Sequence, residues 1–197
     1  MEDPTEVHPP QAVGVVCHPH PLYGGTMQNK VVHTLARSMQ ELGVPTLRFN
    51  FRGVGRSEGG YDGGRGEIDD TLAAVAWARE RWQCQTLWLA GFSFGAAMAL
   101  RASSSAQPAQ LVTVAPPVQR LDLAPVPRPE GRWLVVQGDD DELVDFEEVR
   151  GWVDSYVPRP EMLVLQGAEH FFHGRLSELR AGVTVFLEGT IRAEVEP

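Results

Sequence analysis

A serine flanked by glycines, Gly91-Phe92-Ser93-Phe94-Gly95, lies where an apolar strand (Leu87-Trp88-Leu89-Ala90) gives way to a run that reads as buried helix. That context suits nucleophilic chemistry. A serine on a sharp strand-to-helix turn is held in a strained conformation, with its hydroxyl projecting beyond the sheet edge. A Cβ at either glycine would collide with the neighbouring strand or helix. The first free N–H groups of the helix point at whatever the hydroxyl attacks, which makes the Phe94 N–H an expected oxyanion donor. The plainer alternative is a glycine-rich turn with serine as an N-cap, and five residues alone leave the two open.

A serine hydroxyl is a poor nucleophile near neutral pH and needs a base, which in turn needs an orienting group. Two later stretches supply both types: Gly138-Asp139-Asp140-Asp141-Glu142-Leu143-Val144 and Gly167-Ala168-Glu169-His170-Phe171-Phe172-His173. The order serine, acid, histidine is the one expected when the nucleophile sits on such a turn. A second oxyanion donor should come from His18-Pro19-His20-Pro21-Leu22-Tyr23-Gly24-Gly25. The prolines have no N–H, so His20 or Leu22 must provide it.

Two other patterns invite different chemistry. Gly53-Val54-Gly55-Arg56-Ser57-Glu58-Gly59 looks like a dinucleotide fingerprint, but its third glycine comes one residue late and no helix starts there. His18 and His20, with His170 and His173, suggest a metal. A catalytic zinc needs three well-placed ligands, and the intervening prolines make a chelating pair awkward. Neither a cofactor nor a metal is expected.

The elements that must position these residues alternate. Apolar runs at 12–17, 46–51, 87–90, 111–115, 133–137 and 162–166 read as strands. Helical spacing marks 28–42, where His33 falls off the apolar stripe, then 68–82, the run after Ser93, 146–156 and 176–191. Gly95, Ala96, Ala97 and Ala99 are small enough for the helix after Ser93 to pack close to the sheet. Strands alternating with helices predict an α/β fold: a mostly parallel sheet of about six strands covered on both faces. In such sheets function gathers at the carboxyl ends of the strands, where every unusual loop named above sits.

The 197 residues, 43% of them hydrophobic, suit a single domain with a core over about 12–191. A net charge of −9 argues against nucleic acid and anionic membranes as partners. No apolar run approaches the ~20 residues of a membrane span. The acidic, proline-rich start, residues 1–10, lacks the basic and apolar parts of a signal peptide. Only two cysteines occur, Cys17 and Cys84, which agrees with a reducing compartment; a cytoplasmic location is expected.

Taken together, these motifs resemble the α/β-hydrolases. The glycine-flanked serine, the strand-end Gly-x-x-Asp followed by Glu-Leu-Val, and the late Gly-Ala-x-His loop occur in the family's order. The His18–Gly25 loop, Phe49–Gly59 and Phe171-Phe172-His173-Gly174 are similar to small, lidless bacterial predicted serine hydrolases near the dienelactone-hydrolase and carboxylesterase branch. The resemblance covers about 12–191. It implies Ser93 as nucleophile, Asp141 (the fourth residue of Gly-x-x-Asp, with Asp140 next) as acid and His170 as base. His173 is then structural, and the surplus acids are solvated or cap the helix near Asp145. Aligning His18-Pro19-His20 with the family's His-Gly-x favours the His20 backbone, beside Phe94, for the oxyanion. Many members insert a helical cap after the strand ending near Pro116-Pro117; here Val118–Arg132 is short and carries Pro125, Pro127 and Pro129. An open site shaped by Tyr23, Phe94, Val144 and Phe171, acting on a small ester or thioester, is the expectation. A non-catalytic protein that binds a ligand or partner on the same fold is the alternative.

Overall fold

The computed structural model describes residues 10–193, so the acidic segment before Pro10 lies outside the described residues. Six parallel strands, β1 (Val13–Cys17), β2 (Thr46–Arg48), β3 (Leu87–Phe92), β4 (Gln110–Val114), β5 (Arg132–Gly138) and β6 (Glu161–Leu165), form one sheet in the order β2-β1-β3-β4-β5-β6. Five helices connect or follow them: α1 (Lys30–Glu41), α2 (Arg65–Trp82), α3 (Phe94–Ala106), α4 (Phe146–Asp154) and α5 (Leu176–Ala193). This is the parallel α/β sheet of about six strands expected from the alternation of elements, and it is the α/β-hydrolase arrangement that the resemblance of the motifs implied.

The inner strands are continuous apolar runs because both faces are covered. In β3, Leu87 and Leu89 pack with α2, α3 and α4, through Ala78, Leu100 and Val149, while Trp88, Ala90 and Phe92 pack with α1 and α5, through Leu35, Met39 and Val183. Helix α1 shows how local chemistry sets an element's limits. Asn29 accepts the N–H groups of Val31 and Val32 as N-cap, and Gly43 at φ 77° ends the helix. His33 is exposed, off the buried face.

One strand is shorter than its apolar run. Thr46–Phe51 reads as β2, yet pairing stops at Arg48. Beyond it the chain turns: Asn50 Oδ1 accepts from Met27 N–H, and the Phe51 N–H donates to His18 Nε2 at 3.0 Å rather than to a strand. A buried imidazole therefore replaces the next rung of the ladder. The direction of progression reverses between β1 and β3, so the loops leaving these two strands diverge and open a crevice at their carboxyl ends.

Among the described residues no cap covers that crevice. Residues 115–131, between β4 and β5, contain no helix and run as turns pinned from below. The Arg101 guanidinium donates to Leu121 O, Trp152 Nε1 to Leu123 O and Tyr156 Oη to Val126 O. Among the described residues no helix is long and apolar enough to cross a membrane.

Candidate active site

Ser93 sits between β3 and α3 at φ 53°, ψ −118°, a left-handed conformation that costs a non-glycine residue about 1–3 kcal/mol. The strain is held by packing and by a 2.8 Å bond from the Ser93 N–H to Val114 O. A Cβ on Gly91 would lie 2.1 Å from Gly95 O, and one on Gly95 would lie 2.3 Å from Cys17 O and 2.5 Å from His18 O. These are backbone atoms of α3, of β1 and of the residue that follows β1, and they cannot yield separately. Gly95→Ala is therefore expected to destabilise the protein by about 3 kcal/mol or more, read as a lowered urea midpoint at unchanged slope. A midpoint equal to wild type would mean that β1 and α3 can move apart freely.

Three side chains from three strand ends meet in one line. His170 Nε2 lies 3.1 Å from Ser93 Oγ, and His170 Nδ1 lies 2.9 Å from Asp141 Oδ2. The Asp141 side chain is 0% exposed and that of His170 is 4% exposed. Burial alone would raise the Asp141 pKa. The hydrogen bond and charge of His170, with N–H donors from Val144 and Leu143, outweigh it and leave Asp141 below its ordinary value. Its second oxygen is equally engaged: Oδ1 accepts from Leu143 and Val144 at 2.9 and 2.8 Å. Gln137 Nε2 donates to Oδ2 at 3.0 Å. Phe92 stacks at a tilt 5.1 Å from the His170 ring and Phe171 meets it edge-on at 5.2 Å, so the imidazole has little room to rotate.

The neighbouring acids and histidine are placed elsewhere. Asp140 is exposed. Asp145 caps α4 by accepting Glu148 N–H. Asp139 is not simply solvated: its Oδ1 accepts from Gly167 N–H and ties the loop after β5 to the loop after β6. Glu142 adds a second tie that the sequence offered no signal for, accepting the His170 N–H at 3.1 Å. His173 lies exposed before α5 and pairs with Glu169, away from Ser93.

On the other flank, the loop after β1 begins with a lock. His18 Nε2 accepts from Phe51, which leaves the proton on Nδ1 to donate to Pro19 O at 2.6 Å. Both ring nitrogens are committed, and burial pushes the His18 pKa below its ordinary value. His20 follows, its Nδ1 accepting the Leu22 N–H at 3.2 Å. Of the two N–H groups considered for the oxyanion, Leu22's is thus spent within its own turn. Phe94 is buried, with its ring 4.9 Å from that of His20. Cys17 is buried beside Thr71 and its thiol is pushed up to about 12 by burial, which leaves it a packing residue.

These loops enclose a cleft of about 680 Å³ with Ser93 and His170 on its floor. Tyr23, Phe94, Val144 and Phe171 line it, and so do Tyr61, Arg120 and Leu143, which periodicity did not single out. Tyr61 arrives on the glycine-rich loop that resembles a dinucleotide motif. That loop is folded by the Arg52 guanidinium gripping Asp70 at 2.8 Å and by the Asp62 and Gly64 N–H groups bonding to buried Glu67. Its glycines serve positive φ angles at Gly53, Gly55 and Gly59. Among the described residues no three His, Cys, Asp or Glu side chains stand together as a metal site.

The sequence profile of the family described as X-Pro dipeptidyl-peptidase (S15 family) matches residues 5–159. RP471 of Rickettsia prowazekii (strain Madrid E) is 33% identical over 91% of this chain and 79% of that protein. An α/β serine hydrolase homologue from Coxiella burnetii superimposes with TM-score 0.87 and 48% identity, covering 92% of this chain and 88% of that one. XC6422 from Xanthomonas campestris, an α/β serine hydrolase without a lid, gives TM-score 0.85 and 44% identity over 91% and 82% of the two chains.

Proposed function

Because the chain belongs to the S15 family and is an α/β serine hydrolase of the lidless kind, we propose that it cleaves carboxylic esters or thioesters through an acyl-enzyme on Ser93. The observation that carries this reading is the unbroken line Ser93 Oγ, His170 Nε2, His170 Nδ1, Asp141 Oδ2, at 3.1 and 2.9 Å. Ser93 Oγ attacks the carbonyl carbon while His170 Nε2 takes its proton. Asp141 holds the imidazole with its other proton on Nδ1 and steadies the imidazolium. The N–H groups of Phe94 and His20 receive the oxyanion. Collapse breaks the bond to the leaving oxygen or sulfur, which departs with the proton from His170 as an alcohol or thiol. Water then gives its proton to His170 and attacks the acyl carbon, and the carboxylic acid leaves as Ser93 regains its proton.

The family's description names peptidases, so an amide substrate is the second reading. A dipeptidyl-peptidase must hold a free α-ammonium, which calls for a carboxylate on the cleft wall. The lining residues around Ser93 include no Asp or Glu. This favours esters. The test is to label the protein with a fluorophosphonate and to compare a short p-nitrophenyl ester with Xaa-Pro p-nitroanilides. Labelling with clear preference for the ester is expected. Faster release from an Xaa-Pro anilide would move the substrate to peptides, and neither labelling nor turnover would leave a binding protein on a hydrolase fold.

A further inference from the structure

Arg120 stands alone on the wall of the cleft. Apart from His20, Asn29, Ser93 and His170, the other lining residues, among them Tyr23, Tyr61, Phe94, Leu121 and Phe171, are aromatic, aliphatic, proline or glycine, and Arg120 carries the only permanent charge in the lining. Most arginines of this acidic chain are engaged, as Arg52 with Asp70, Arg132 with Glu161 and Arg159 with Asp154. Arg120 is exposed, and no hydrogen bond or ion pair involves it among the described residues. It is nevertheless presented on a firm base. Leu121 O is held by Arg101, the Leu121 N–H donates to Pro117 O at 3.1 Å, and the Leu123 N–H donates to Val118 O at 3.0 Å. A cation kept unpaired at the mouth of an apolar cleft lacks a partner that a substrate can supply.

We propose that Arg120 selects substrates bearing an anionic group, a carboxylate or a phosphate, whose apolar part lies on Tyr61, Phe94 and Phe171. This rests on the esterase reading above and gives it a substrate class. The guanidinium can take either anion through two parallel N–H donors. Asp141, Glu142, Asp145 and Glu148 line an adjoining groove with Arg120, so their field opposes an anion there and leaves the face toward Ser93 as the favourable approach. That opposing field and the exposure of Arg120 keep the expected gain modest, about fivefold in KM.

The test compares matched substrates on the full chain at low salt: 4-acetoxybenzoate against 4-acetoxybenzamide, and phenyl hemisuccinate against its neutral methyl ester. The anionic member of at least one pair should be favoured about fivefold, through KM rather than kcat. That ratio should fall toward one in Arg120→Gln, survive in Arg120→Lys, and shrink as salt rises. 4-Acetoxyphenyl phosphate separates the two sources: a lower KM than the carboxylates assigns phosphate, and a higher one assigns carboxylate. Binding of 4-hydroxybenzoate against 4-hydroxybenzamide, followed by NMR shifts, reads the same contact without turnover. Ratios near one in wild type, or unchanged in Arg120→Gln, overturn the role of Arg120. Absence of hydrolysis with anion-selective binding intact would instead overturn the esterase reading alone.

Discussion

Ser93→Ala is expected to lower kcat on esters on the order of 10⁶-fold and to abolish fluorophosphonate labelling. The size follows from the site acting as a unit. Without Oγ there is nothing for His170 to activate, and only positioning and the oxyanion donors remain to assist water. The fold should survive. Alanine keeps the Cβ of serine, so the strain at φ 53° is unchanged, and the N–H bond to Val114 O does not involve the side chain. The alanine variant should therefore unfold at nearly the wild-type urea concentration while being inactive. Substantial residual turnover in a verified Ser93→Ala preparation would remove the acyl-enzyme from the proposal.

Asp141→Asn should cost about 10⁴-fold in kcat, the scale seen when a triad acid is made neutral. The cause lies in which atoms the amide can satisfy. Oδ1 accepts two backbone N–H groups, from Leu143 and Val144, so an asparagine places its carbonyl oxygen there. Its NH₂ then faces His170 Nδ1, which must become an acceptor. The imidazole proton moves to Nε2, and the nitrogen facing Ser93 at 3.1 Å can no longer take a proton. The Gln137 Nε2 donor would also meet the new NH₂, so some loss of stability accompanies the loss of rate. Asp140→Asn is the control, because Asp140 is exposed and sits one residue away. Near wild-type rates in Asp141→Asn would shift the acid's role elsewhere.

Much of the architecture was legible because it rests on periodic burial. Strands covered on both faces must be apolar throughout, as in Leu87–Phe92, and helices between them must show one buried stripe, as in α1. The places where expectation and structure part are those where a side chain stands in for the backbone. β2 ends three residues early because His18 takes the Phe51 N–H, and no pattern of polarity encodes that a histidine thirty-three residues upstream will do so. Asp139 and Glu142 belong to the same class. In a run of four acids they look alike, yet Asp139 binds the Gly167 N–H, Asp141 faces His170 and Glu142 binds the His170 N–H. Each partner lies 28 or 29 residues away in sequence.

The serine between two glycines at a strand-to-helix junction, the parallel run of the strands and the proline-broken segment in place of a cap were set by the sequence alone. They depend on local sterics: a Cβ that cannot fit, an N–H that proline lacks, a stripe that must be buried. Tertiary structure decided which of the neighbouring acids reaches His170, that the glycine-rich loop delivers Tyr61, and that Arg120 stands unpartnered at the cleft. Those outcomes hang on contacts between residues distant in sequence, such as Arg52 to Asp70 and Arg101 to Leu121 O. Local chemistry can place a loop at a strand's end; only its distant anchors aim the side chains it carries.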